Sequence, residues 1–264
     1  MYQFGFIGCG NMGGALVRAV CKCVNAKTVA VCDYDLSKAK TLETECGVIV
    51  EDVNVLVKNC KFVVLGVKPQ NLQETLQSVE NALMENKDLT IITMAAGASI
   101  SSIRTLCKRD VPVIRIMPNT PVLLEKGMVL YCTENVGEED ETAFQTAFSK
   151  VGVLDKIPEE KIDAASALSG CGPAFVYAFA QALTSGAIDC GVPTEKAELY
   201  TAQTLLGAAE MLLTYKDAES LKRAVCSPGG TTLAGIKALE DNNFHDVAKS
   251  AVLSAYKRTL ELKK

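Results

Sequence analysis

Two stretches of this sequence strip side chains away just where a helix begins, and a helix beginning offers free N–H donors to an anion. The first is "GCGNMG", Gly8 to Gly13, which fits G-x-G-x-x-G directly after the strand-like run "YQFGFI". Glycines there permit a tight turn and let a pyrophosphate approach the backbone of Gly8, Cys9, Gly10, Asn11 and Met12. A second β-rich run ends in Asp33, at the spacing of the carboxylate that meets a cofactor ribose. Together these features predict binding of NADPH or NADH. Asp33 repels a 2′-phosphate and so favours NADH. Lys38 and Lys40 follow within a few residues, as cations near a phosphate or as a solvated helix face.

The second stretch is "SPGGTT", Ser227 to Thr232, leading into "LAGIKALE". Ser227, Thr231 and Thr232 bring hydroxyls to the bare backbone of Gly229 and Gly230. Capping a helix needs one such residue. Six in a row predict a small pocket for an anion such as a carboxylate. A related junction, "SALSGCGPAFVY", presents Ser166 and Ser169. Their spacing suits hydroxyls aimed at the same ligand and equally suits close helix packing through Gly170 and Gly172, and both readings stay open.

Three further runs end where an open α/β sheet binds its ligand, at the carboxyl ends of its strands. "LGVKPQ" places Val67, Lys68 and Pro69 along the cofactor. "MAAGASI" and "RIMPNTP" place Ala96, Gly97, Pro118 and Asn119 near the reacting face of a nicotinamide.

The elements that must hold these groups follow from hydrophobic period. Eight β-rich runs, "YQFGFIG", "TVAVCD", "GVIV", "KFVVLGV", "LTIITMA", "VPVIRIM", "GMVLYCT" and "GVLDKI", alternate with helical patterns such as "GNMGGALVRAVCKCV" and "PQNLQETLQSVENALM". Alternation of this kind predicts βαβ units and a parallel sheet. After Pro158 the β-like runs stop. The expected architecture is α/β: a Rossmann-type doubly wound sheet over residues 1–158, followed by an all-α domain over residues 159–264. Two of its helices, Ala174 to Ile188 and Thr201 to Leu213, are apolar around most of their circumference. Such helices require cover on every side, so a second subunit is expected.

Composition excludes other classes. The chain has 264 residues, 48% of them apolar, which supports a substantial core. The net charge is −4 with basic residues scattered, so no nucleic-acid footprint is expected. The most apolar segment, Pro173 to Leu183, falls short of the roughly 20 residues that span a bilayer, so no membrane insertion is expected. The amino terminus carries no basic leader pattern, and eleven cysteines occur without a C-x-x-C pair and with one histidine, His245. Reduced thiols in the cytoplasm, and no metal site, are the expectation. His245 itself is placed at the surface start of the last helix.

The motifs "FIGCGNMGGAL", "VKPQ", "IRIMPNTPV", "ALSGCGPAFVY", "GVPTEKAELYTAQTLLGAAEML" and "SPGGTTLAGIKALE" together resemble the pyrroline-5-carboxylate reductase family, in that family's order and across essentially the whole chain. The last block is the most specific. This resemblance implies reduction of Δ1-pyrroline-5-carboxylate to L-proline by NADPH or NADH, the last step of proline biosynthesis. It further implies a homo-oligomer, a dimer or a decamer of five dimers, whose helical domains interlock. By the same resemblance Ser227 to Thr232 hold the substrate carboxylate, Thr232 lies near the ring nitrogen, and Ser166 faces the pocket. Cys171 stands where the family commonly has serine and Cys9 lies inside the phosphate loop, which implies thiol sensitivity. The rival readings are a β-hydroxyacid dehydrogenase, which needs a catalytic lysine in the helical half, and a dinucleotide-binding regulator without turnover.

Overall fold

A computed structural model describes residues 1–262. It divides into two compact units: Met1–Cys171 together with residues 255–262, and Gly172–Ser254.

The first unit is built on eight strands: β1 (Tyr2–Ile7), β2 (Val29–Cys32), β3 (Ile49–Val50), β4 (Cys60–Leu65), β5 (Thr90–Thr93), β6 (Val113–Met117), β7 (Gly127–Glu134) and β8 (Gly152–Lys156). They form one sheet in the order β3-β2-β1-β4-β5-β6-β7-β8. The order reverses between β1 and β4, the place where doubly wound sheets open a ligand crevice. Around the sheet lie α1 (Asn11–Val20), α2 (Leu36–Cys46), α3 (Val53–Asn59), α4 (Leu72–Ser78), α5 (Glu80–Glu85), α6 (Ile100–Cys107), α7 (Glu138–Ala147) and α8 (Glu159–Ser169).

Side chains alternate across each strand, so every central strand feeds two cores. Phe4, Phe6 and Phe62 pack on one face with Leu16, Phe144 and Phe148. Val63, Leu65 and Ile91 pack on the other with Leu56, Leu76, Leu83 and Ile103. The Phe4 and Phe62 rings stack at 4.9 Å, and Phe148 meets Phe4 edge-on at 6.1 Å. These contacts hold β1 and β4 rigidly under the phosphate loop.

The expected all-parallel sheet needs one correction. β7 runs antiparallel to β6, and β8 then runs parallel to β7. The link from β6 is a short 3-10 turn, Thr120–Leu124, reversed by Glu125 at φ 57. So short a link cannot make the crossover a parallel pair requires. The helix expected over residues 69–85 is also divided, into a 3-10 turn at Pro69–Asn71, α4 and α5, because Val79 leaves helical geometry at φ −113, ψ 15 while fully buried.

Helix α8 belongs to this first unit, and a buried ion pair explains why. Arg115 on β6, 1% exposed, donates from Nη2 to Asp163 Oδ1 at 2.5 Å and from Nη1 to Glu159 Oε1 at 3.3 Å. Glu159 Oε1 also accepts from Ile100 N at the start of α6, at 2.8 Å. Two carboxylates one helical turn apart thus clamp α8 to the sheet through a single guanidinium.

The second unit holds α9 (Gly172–Asp189), α10 (Thr194–Tyr215), α11 (Ala218–Ala224) and α12 (Thr231–Asp241), and α13 (Phe244–Leu262) runs from it into the first. α9 and α10 form a hairpin, reversed at Gly191 (φ +89) and held by Thr184 donating to Thr201 at 3.0 Å. Phe179 and Phe244 meet at 5.5 Å. No residue of α9 is buried, and Tyr177, Leu199, Leu206, Leu213 and Val225 are all exposed. A Cβ built on Gly172, Gly186, Gly207, Gly229 or Gly235 would meet nothing within 4 Å. Among the described residues no helix is long and apolar enough to cross a membrane.

Candidate active site

The glycines of the phosphate loop divide their work. Gly8 sits at φ +102, and a Cβ there would lie 2.7 Å from the backbone of Gly66. A Cβ on Gly13 would lie 2.1 Å from the Gly8 carbonyl oxygen, so the start of α1 can close on the loop only without one. Gly10 is different: nothing approaches within 4 Å of its missing side chain. Space is kept open there beside the end of α1, which has no side-chain cap and no acid in its first turn. The first bond inside the helix is Gly14 N to Gly10 O, 2.7 Å. The N–H groups of Asn11, Met12 and Gly13 precede it, which fits a pyrophosphate. Asn11 is exposed, while Met12 leans on the core.

Gly66 escaped the reading of the sequence. Its own Cβ would lie 2.7 Å from the Gly8 oxygen, so β4 and the phosphate loop meet backbone to backbone. The clue was the residue before Val67, a glycine ending a β-branched run.

Asp33 ends β2 where expected, with its carboxylate tied to the chain. Oδ2 accepts from Cys9 N at 2.6 Å and Oδ1 from Asp35 N at 2.8 Å. Asp33 is therefore a latch between the phosphate loop and the β2–α2 turn; a carboxylate has further lone pairs for a ribose. The Cys9 thiol is buried over Cys32 O at 3.5 Å, and burial first, then the neighbouring Asp33 charge, pushes it up to about 12. Thiol sensitivity at Cys9 is thereby corrected: a group so protonated is a poor nucleophile. Cys171 is exposed. Lys38 and Lys40 turn to Asp35 (3.7 Å) and Glu43 (2.8 Å) along the helix surface.

Val67 packs half-buried against the core, and Lys68 and Pro69 are exposed after the end of β4. Ala96 and Gly97 (φ +78) form the turn after β5, where a Cβ on Gly97 would stand 3.2 Å from Leu262 O of α13. Asn119 is committed inward. Its Nδ2 donates to Ser169 O at 2.9 Å and its Oδ1 accepts from Met128 N at 2.9 Å, so it joins the end of β6 to the end of α8. Ser166 is buried, and Ser169 Oγ is a buried hydroxyl with no hydrogen-bond partner among the described residues. Such a group is costly unless something else binds it. His245 is exposed beside Asp246, at 3.3 Å.

In the second unit Ser227 to Gly230 form a tight turn, with Gly230 N donating to Ser227 O at 3.0 Å. Pro228 precedes Gly229 at φ +71, the order a type II turn requires. A Cβ on Gly230 would fall 2.5 Å from Ser227 Oγ and 3.0 Å from Ser227 O, so it would push the Ser227 hydroxyl out of its present place. No side chain caps α12, although Ser227, Thr231 and Thr232 all stand at its mouth. The first bond inside the helix is Ala234 N to Gly230 O at 3.3 Å, so the N–H groups of Thr231, Thr232 and Leu233 precede it. Ser227, Thr231 and Thr232 are exposed, and an uncapped helix start flanked by hydroxyl residues suits a carboxylate.

Comparison with known proteins bears on both units. Residues 3–97 match the family model described as NADP oxidoreductase, coenzyme F420-dependent. Residues 159–262 match the model described as pyrroline-5-carboxylate reductase dimerisation. Pyrroline-5-carboxylate reductase 3 of Danio rerio is 35% identical, covering 98% of this chain and 91% of its own. The chain belongs to the pyrroline-5-carboxylate reductase family. The family member of Methanosarcina acetivorans is 34% identical over 99% of this chain and 98% of its own. Among solved structures, the pyrroline-5-carboxylate reductase of Coxiella burnetii superposes with a TM-score of 0.89 at 31% identity, covering 100% of this chain and 99% of its own. The Plasmodium falciparum enzyme, solved with NADP bound, gives 0.88 at 26% identity, covering 100% and 98%.

Proposed function

We propose that this chain reduces Δ1-pyrroline-5-carboxylate to L-proline at the expense of NADPH or NADH, completing proline biosynthesis. The observation that carries the reading is the mouth of α12: three hydroxyls and three backbone donors around an uncapped helix end, in a chain of this family. When bound, the reduced nicotinamide supplies a hydride. The open side of Gly10 and the uncapped start of α1 suit its pyrophosphate, with Asp33 on the ribose side and Val67, Lys68, Pro69, Ala96 and Gly97 along the strand ends. Asn119 acts as a positioning residue, fixing α8 and with it Ser166 and Ser169.

Ser227, Gly229, Gly230, Thr231 and Thr232 hold the substrate carboxylate. Its negative charge is matched by the positive end of α12, which fixes the orientation in which the cyclic imine is held. Thr232 orients the imine nitrogen, and a hydroxyl is too weak an acid near neutral pH to do more. Ser169 Oγ, buried without a partner among the described residues, suits a ligand contact.

By function the chain divides after Pro158, into a dinucleotide-binding part (residues 1–158) and a helical substrate-binding and dimerisation part (residues 159–264). The exposed apolar faces of α9 and α10 support a dimer, and a decamer of five dimers is the further assembly proposed. Eleven free cysteines support a reducing cytoplasmic setting.

Initial rates of dinucleotide oxidation with pyrroline-5-carboxylate test the reading. Turnover is expected, and Thr232→Ala should lower kcat/KM by about tenfold or more, the scale of one lost charge-assisted hydrogen bond. Unchanged kcat/KM would remove Thr232 from the site, and no turnover despite dinucleotide binding would favour a regulator.

A further inference from the structure

The β2–α2 turn, residues 33–38, carries an arrangement that bears on which dinucleotide enters. A helix N-terminus beside the ribose is the natural seat for a 2′-phosphate, since its free N–H groups and positive dipole attract phosphate. Here α2 already holds an anion of its own. Asp35 caps it, Oδ1 accepting from Ser37 N at 3.1 Å and Ser37 Oγ at 2.6 Å. Asp33 stands two residues earlier, its oxygens taken up by Cys9 N and Asp35 N. On the neighbouring strand end, Asp52 caps α3, accepting from Asn54 N at 2.8 Å and Val55 N at 3.3 Å. The two cations nearest in sequence are drawn aside: Lys38 to Asp35 and Lys40 to Glu43.

We propose, on the reading of the first unit as a dinucleotide site, that this turn makes the enzyme prefer NADH to NADPH, with Asp35 as a specificity-determining residue alongside Asp33. A 2′-phosphate would have to displace the Asp35 carboxylate from the Ser37 N–H and hydroxyl while facing two like charges. A ribose with free hydroxyls meets only acceptors it can donate to.

The test uses the full-length chain and calorimetric titration with ADP-ribose and with 2′-phospho-ADP-ribose, which probe this end of the site without turnover. ADP-ribose should bind at least about tenfold more tightly, one like-charge contact at surface dielectric being worth roughly that factor. Asp35→Ser keeps a capping oxygen and removes the charge, and it should narrow the gap severalfold. Asp33→Asn should weaken both ligands, because it loosens the Cys9 latch. Raising the salt concentration should narrow the wild-type gap as well, since exposed charges are screened. Equal or tighter binding of the phosphorylated ligand, or a ratio untouched by Asp35→Ser, would overturn the proposal and leave the dinucleotide reading standing. Binding of neither ligand would overturn both.

Discussion

Removing the Asp163 carboxylate should be strongly destabilising, although it lies outside the two ligand-facing loops. Asp163→Ala leaves the Arg115 guanidinium at 1% exposure paired to Glu159, at 3.3 Å rather than the 2.5 Å of Asp163. Arg115 Nε already lacks a hydrogen-bond partner among the described residues. Breaking a buried pair costs about 3–5 kcal/mol, because a charge is left without compensation. Glu159, at 32% exposure, supplies some of it, so about 3 kcal/mol is expected. For a chain of this size that lowers the melting temperature by about 6–12 °C. Circular dichroism is the assay of choice, as the chain has no tryptophan. Because α8 carries Ser166 and Ser169, KM for the imine should rise while dinucleotide affinity stays near wild type. Arg115→Met combined with Asp163→Leu should recover most of the stability, since apolar residues of similar volume often replace a buried pair without loss. A cost below about 1 kcal/mol for Asp163→Ala, or a double variant no more stable than the single one, would refute the clamp.

The loop glycines give a contrasting pair: Gly13→Ala, with its Cβ 2.1 Å from the Gly8 oxygen, should lose stability in chemical denaturation. Gly10→Ala, with nothing within 4 Å, should fold normally and bind dinucleotide about tenfold more weakly, having filled space a pyrophosphate needs. Mass mapping after brief alkylation of the native protein should find Cys171 modified and Cys9 protected until unfolding. The Glu141 carboxyl is held below its ordinary value, first by the hydrogen bond from Lys156 (2.7 Å). Its stabilisation is therefore present above the ordinary glutamate value and lost as pH falls through the lower native one. Glu141→Gln should be less stable than wild type near neutrality and converge with it in acid, by thermal melts across pH.

Strands were legible because β-branched runs between turn residues have few alternatives, and the eight runs named in the sequence correspond to the eight strands. The direction of β7 was not, since direction depends on a link whose 3-10 turn has no period of its own. α8 reads as the opening of the helical half, yet it packs on the sheet through partners 44 and 48 residues away in the chain, a separation at which no local pattern operates. Asp33 and Asn119 were visible as polar residues at strand ends. That their oxygens serve Cys9, Asp35 and Met128 was not, because backbone donors leave no mark in sequence. Gly66 was hidden for a related reason: its necessity lies in the closeness of another backbone.

Gly186, Gly207 and Gly235 lie within α9, α10 and α12 with nothing near their missing side chains. Each weakens its helix by about 1 kcal/mol relative to alanine, and among the described residues nothing packs where the missing side chain would be. Assembly against another small-residue surface would recover it through close backbone approach. A helix weakened at such positions opens more readily, so an unassembled subunit should be the softer substrate for a protease at these three glycines.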